Sequence, residues 1–283
     1  MTDSVFFSAV PLLDKRTPDW QDKSDDDIAQ LVDGIAGEMQ EYLNNFYDVF
    51  AKRFFNLDHH RFEIKKEYVI KSGMWVAKKR YAQHIIANNG VPVDKLDVKG
   101  LDVVRSNFPK AFRAFMSEIL MDILKDVPKK EIDEKILTFR ENLSSLGINE
   151  IAKASSIKNL SKYLVDDPNR LFEYPKGTTA HAKAAIAFND LLKYFECPHR
   201  YAPFEDGDKL KWVYLKDNPL FLESAAFRGY EDPDEIIEFI HKYIDYDKIF
   251  ETDLEQKFND FYEALNWGVV SKKSSNTDQF FEF

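Results

Sequence analysis

The chain has 283 residues, enough for one large domain or two smaller ones, and 44% of them are apolar with 24 Phe and 13 Tyr, which excludes a disordered chain. Its formal charge of −10 is unevenly spread: residues 1–64 carry −7, residues 65–130 carry +7 and residues 131–283 carry −10. A single cysteine, Cys197, rules out an internal disulfide and points to a reducing cytoplasm, and no run of about eighteen apolar residues exists to span a membrane.

In chain order, Ser4 to Val10 is short, β-branched and aromatic, which predicts a strand. Ser24 or Asp25 suits a helix N-cap, and from Asp26 to about Phe54 the apolar residues Ile28, Leu31, Val32, Ile35, Met39, Leu43, Phe46, Val49, Phe50 and Phe54 recur at helical spacing. That predicts a helix roughly 40 Å long at ~1.5 Å per residue, backing a sheet. Two strands follow, Arg61–Ile70 and Gly73–Ile86, with a break at Lys71-Ser72-Gly73; the alternation of Phe62 and Ile64 with Glu63 and Lys65 fits a sheet with one covered face. Beyond Gly100 the pattern turns mainly helical: Pro109–Lys125, Glu131–Leu146 closed by Gly147 as a C-cap, about Thr179–Phe195, Pro233–Ile244 and Asp247–Trp267, with one strand at Lys209–Leu215. The fold class is therefore α+β. Residues 271–277 are polar and linker-like, and the chain closes on Asp278-Gln279-Phe280-Phe281-Glu282-Phe283.

Three short stretches carry chemistry. Thr2-Asp3-Ser4 places an acid at the mouth of an apolar strand, where a carboxylate on a rigid platform suits a hard cation. Lys78-Lys79-Arg80-Tyr81 puts three cations directly before an aromatic inside the only basic block, and such clusters displace counterions from phosphates. On a strand, alternation sends Lys78 and Arg80 to one face and Lys79 and Tyr81 to the other. One cation can then meet minor-groove acceptors, which every base pair presents, while its neighbours meet phosphate. The bland reading of the same block is a solvated charged face. At the far end, three phenylalanines beyond a polar linker have no periodic element to hold them and suit an apolar pocket on a partner. The six histidines show no ligand spacing beyond the pair His59-His60, so a histidine zinc site is not expected.

In order and separation these stretches resemble family B DNA polymerases, and most nearly the T-even bacteriophage replicative enzymes. Thr2-Asp3-Ser4 is similar to the second half of Asp-Thr-Asp-Ser, a metal-binding palm motif, and Lys78-Lys79-Arg80-Tyr81 to the element that grips the primer terminus. Gly177 to Asn189, Ile151 to Ser156 and Gly207 to Val213 are similar to parts of the family's thumb. The resemblance implies a partial antiparallel palm sheet backed by a long helix over residues 1–100, a mainly helical thumb over 101–270, and a flexible tail over 271–283. It implies Asp3 as a ligand of catalytic Mg2+, Glu67 as a carboxylate near the active centre, and Lys153, Lys158 and Lys183 as further phosphate contacts, with His181 a structural helix-start residue. It also implies Phe280, Phe281 and Phe283 as a peptide for a sliding clamp.

On this reading the chain supplies the C-terminal part of a DNA-directed DNA polymerase, binds primer–template DNA and works in the cytoplasm, that of a host cell if phage-encoded. The first aspartate of Asp-Thr-Asp-Ser would fall at Met1, and the other essential palm carboxylate has no match, so an N-terminal partner chain is expected to complete a two-metal site. Thr2 is an acceptable first residue after an intein, and non-covalent assembly fits equally well. The rival expectation is a non-catalytic DNA-binding and clamp-binding accessory protein, which has no need of Asp3; a third is an inactive relic.

Overall fold

A computed structural model describes residues 5–62, 64–163, 170–197 and 199–269. Contacts divide the chain into two units, one of Met1–Trp75 and Tyr81–Lys99, the other of Val76–Arg80 and Gly100–Phe283. Both mix helices with small antiparallel sheets, the α+β class that the patterning predicts.

In the first unit the strand expected at Ser4–Val10 is not formed among the described residues. Val5–Ala9 has no regular structure, and Val10 opens helix α1 (Val10–Arg16). Pro11 decides this, because its fixed φ and missing N–H suit the first turn of a helix. Helix α2 (Asp25–Phe55) matches the expected span within a residue. The Ser24 hydroxyl accepts from the Asp27 N–H at 3.2 Å, Asp25, Asp26 and Asp27 complement the positive end of the helix, and left-handed Asn56 closes it. Its first half buries Ile28 and Ala29 against Val69, Ile86 and Ala87 of the sheet, and Ile35 against Leu13 of α1.

The sheet runs β1 (Tyr68–Ala77), β2 (Arg80–Asn88), β3 (Val91–Lys99) in that spatial order. The expected break at Lys71-Ser72-Gly73 does not occur, and Arg61–Lys66 is not strand among the described residues. Gly73 lies within β1 because the Trp75 ring packs over it: a Cβ there would meet the ring at 2.6 Å. The chain reverses instead at Lys78-Lys79, and again at Asn89-Gly90, whose φ values of 49° and 78° suit a tight hairpin. That second turn adds β3, a strand the patterning did not predict, paired with β2 from Tyr81↔Lys99 to Asn88↔Val91. Central β2 is buried from Ala82 through Ala87.

In the second unit, α3 (Lys110–Leu124) and α4 (Lys129–Asn142) form where periodicity places them. Gly147 is not a C-cap: its φ is −64°, a 3-10 turn at Leu143–Ser145 ends the preceding helix, and Gly147 precedes the short α5 (Ile148–Ile151). A second antiparallel sheet, β4 (Lys153–Ser156), β5 (Lys209–Tyr214) and β6 (Ser224–Phe227), makes this unit less purely helical than expected. Two of its strands are four residues long, too short to show alternation. Helix α6 (Ala180–Tyr194) packs against β6 of that sheet, burying Ala184, Ala185, Ile186 and Phe188 on folding, and the Ser224 hydroxyl donates to the Ala180 carbonyl at 3.0 Å. After α7 (Asp234–Tyr243), helix α8 (Tyr246–Phe250) passes through one π turn (Glu251–Glu255) into α9 (Gln256–Ala264). Phe115 stacks on Phe139 with ring centroids 3.9 Å apart and meets Phe258 of α9 edge-on, tying α3, α4 and α9 into one core. Among the described residues no helix is long and apolar enough to cross a membrane.

Candidate nucleic-acid interface

Lys78 and Lys79 form the turn between β1 and β2 and are not on a strand, so strict alternation of the four residues does not apply. Lys79 is left-handed, with φ 63°, and both lysines are exposed. Neither ammonium group has an ion-pair or hydrogen-bond partner among the described residues. The turn is held by Gly100, itself at φ 70°, where an added Cβ would come within 2.1 Å of the Lys79 carbonyl oxygen. No other residue type allows this approach.

Arg80 and Tyr81 are differently engaged. The Arg80 guanidinium lies 3.8 Å from the Asp260 carboxylate of α9. Tyr81 packs edge-on against Phe6, ring centroids 6.3 Å apart, and Phe6 in turn meets Trp75 at 6.5 Å. The tetrapeptide therefore splits into two exposed cations without a partner among the described residues and two half-buried side chains, Arg80 facing Asp260 and Tyr81 packed on Phe6. Alternation groups Lys78 with Arg80 and sets Lys79 apart, and sequence alone identifies neither the Asp260 partner nor the Gly100 support.

Two of the three other candidate lysines are already engaged. Lys153, on β4, is ion-paired with buried Asp253 of the π turn and lies 5.1 Å from the ring centroids of both Trp212 and Tyr214. Burial raises the Asp253 pKa, while Lys153 and Lys257 pull it down. Lys183 donates to both carboxylate oxygens of Glu223, at 2.7 and 2.8 Å, and covers the Tyr174 ring. Lys158 is exposed beyond the end of β4. His181 lies 3.4 Å from the Thr179 hydroxyl at the start of α6, with its pKa lowered by burial. Asn189 of the same helix clasps Phe204, donating to its carbonyl at 2.9 Å and accepting from its N–H at 2.6 Å.

The carboxylates are less assembled. Glu67 is exposed and sits one residue before β1, not inside a strand; its carbonyl accepts from the Asn89 N–H at 2.7 Å. Asp3, like Phe280, Phe281 and Phe283, lies outside the described residues. Among the described residues no group of three or more His, Cys, Asp or Glu side chains could hold a metal ion, so they do not of themselves fit the two-ion site.

Residues 35–257 match the model of DNA polymerase family B, and the chain belongs to that family. It is 25% identical to the DNA-directed DNA polymerase of Escherichia phage RB69 over 303 aligned residues, covering 99% of this chain and 31% of that polymerase. It is also 28% identical to the DNA polymerase alpha catalytic subunit of Xenopus laevis over 197 residues, covering 66% of this chain and 12% of that subunit. The chain thus spans under a third of the length of either relative.

Proposed function

We propose that this chain forms the palm end and thumb of a replicative DNA-directed DNA polymerase, gripping primer–template DNA next to the catalytic centre in the cytoplasm, that of a host cell if phage-encoded. The observation that carries this reading is the exposed Lys78-Lys79 turn, unpaired among the described residues, in a chain matched to DNA polymerase family B over residues 35–257. Two adjacent ammonium groups on a hairpin tip can meet neighbouring phosphates, and Arg80 and Tyr81 fix the tip from behind.

Asp3 would supply one oxygen ligand to catalytic Mg2+, with the remaining carboxylates supplied by an N-terminal partner chain. Metal ions supply charge stabilisation for in-line phosphoryl transfer, and this chain's residues position the primer. Phe280, Phe281 and Phe283 attach the assembly to a sliding clamp. Lys153 and Lys183 serve the thumb chiefly as internal ties, and Lys158 remains a phosphate contact.

The test is primer extension. The chain alone shows none, and mixed with or fused to a polypeptide carrying the remaining polymerase motifs it gains Mg2+-dependent extension. Asp3→Asn abolishes that gain and leaves primer–template affinity within about twofold, since metal ligation and DNA grip lie on different residues. Full extension by the Asp3→Asn assembly contradicts the metal role and favours the accessory-protein reading.

A further inference from the structure

The apolar face of α2 runs on past the point where the fold covers it. At 3.6 residues per turn, Ile28, Val32 and Ile35 of the first half share one side of the helix with Met39, Tyr42, Phe46, Val49, Phe50 and Phe54 of the second. Ile28 and Ile35 are buried, whereas Phe46 is 51%, Val49 65% and Phe54 63% exposed. The segment that returns from α2 to the sheet does not cover this stripe. It runs along another side, where Asn44 donates to the Ile64 carbonyl at 3.3 Å, Asp48 accepts from the His60 N–H at 3.0 Å and Gln40 accepts from the Lys66 N–H at 2.8 Å. The stripe is also internally ordered: Phe46 stacks on Phe50 at 6.2 Å and Phe50 meets Phe54 at 4.7 Å.

We infer that this aromatic stripe is the surface on which the rest of the polymerase domain docks, an inference that rests on the proposed function. Large contiguous apolar patches on a soluble fold mark interaction sites. The chemistry favours protein over nucleic acid, because the stripe lies in the block of residues 1–64 that carries −7, with Glu38, Glu41 and Asp48 on the same helix repelling phosphate. The occupant follows from length and continuity. The alignment takes in 99% of this chain but only 31% of the phage polymerase, so more than two thirds of that enzyme lies beyond it. The stripe also continues a face that α2 already buries inside the same unit. Its one cation, Arg53, lies 5.7 Å over the Phe54 ring, so it extends the apolar surface with its stem and presents a guanidinium at the edge.

The test titrates the full chain, wild type and Phe46→Lys/Phe50→Lys, against the polypeptide that restores primer extension. Loss of two buried phenylalanines weakens assembly by about 100-fold or more, with extension recovered at saturating polypeptide and the melting temperature of the chain alone unchanged. Unchanged assembly affinity overturns the docking surface and leaves the proposed function standing. A wild-type mixture that assembles on the stripe but never extends a primer overturns the proposed function instead. A fall in the melting temperature of the chain alone shows that the stripe packs on this chain's own residues, and conversion of a dimer to a monomer shows that it packs on a second copy. Either result overturns the inference.

Discussion

At Lys79 the backbone enters the left-handed region at φ 63°, a conformation that costs a residue with a Cβ about 1 kcal/mol or more. The structure holds it there through Gly100, which has no atom to clash with the Lys79 carbonyl. Gly100→Ala therefore acts at a distance of one contact: the new Cβ at 2.1 Å must displace the carbonyl, and the φ of 70° at position 100 adds strain of its own. We expect the variant to lose about 1–3 kcal/mol of stability and to bind primer–template DNA more weakly, although no phosphate ligand has been removed. Thermal unfolding and a binding titration check this, and unchanged values in both would show that the turn tolerates the shift. The sequence made the cations of this site legible because three in a row stand out against an acidic chain. It could not separate Lys78 and Lys79 from Arg80, since that division depends on Asp260, 180 positions further on. The same holds for Lys153, whose commitment to Asp253 is a contact across a hundred residues.

Elements long enough to repeat a period were legible, and those that were short or decided by one residue were not. Helix α2, with 31 residues and a capping serine, matches its expected span, as do α3, α6 and α7 closely. The four-residue strands β4 and β6 carry no period to read. Gly73 suggested a turn, but the ring of Trp75 occupies the space above it and keeps β1 continuous, so the hairpin falls at Lys78-Lys79. The closing peptide is read from its composition and from the family resemblance, since Phe280, Phe281 and Phe283 lie outside the described residues. Deleting residues 276–283 is expected to leave distributive synthesis by the assembled polymerase unchanged and to cut clamp-dependent processive synthesis sharply. Phe281→Ala alone should weaken clamp binding by about tenfold or more, since burial of one phenylalanine contributes roughly 1.5–3 kcal/mol. A lower melting temperature with unchanged clamp-dependent synthesis would show the peptide packing on its own chain.

For the whole molecule, charge is arranged against the average. A chain with a net charge of −10 confines its one basic excess to residues 65–130, and the hairpin tip in that block presents two exposed lysines that have no partner among the described residues. The acidic remainder disfavours non-specific wrapping of nucleic acid, so the proposed DNA grip would act at few points. The family match covers residues on both sides of that tip, and the function proposed for it predicts a small, countable number of phosphate contacts. The most direct measurement is the salt dependence of primer–template binding for wild type, Lys78→Ala, Lys79→Ala and Arg80→Ala. Each lysine variant should bind more weakly and lower the slope of log affinity against log salt by about one counterion, with little preference for DNA sequence. Arg80→Ala should change the slope less than either, because Asp260 already holds its guanidinium. Wild-type affinity and slope in both lysine variants would contradict the assignment of this turn as the DNA grip.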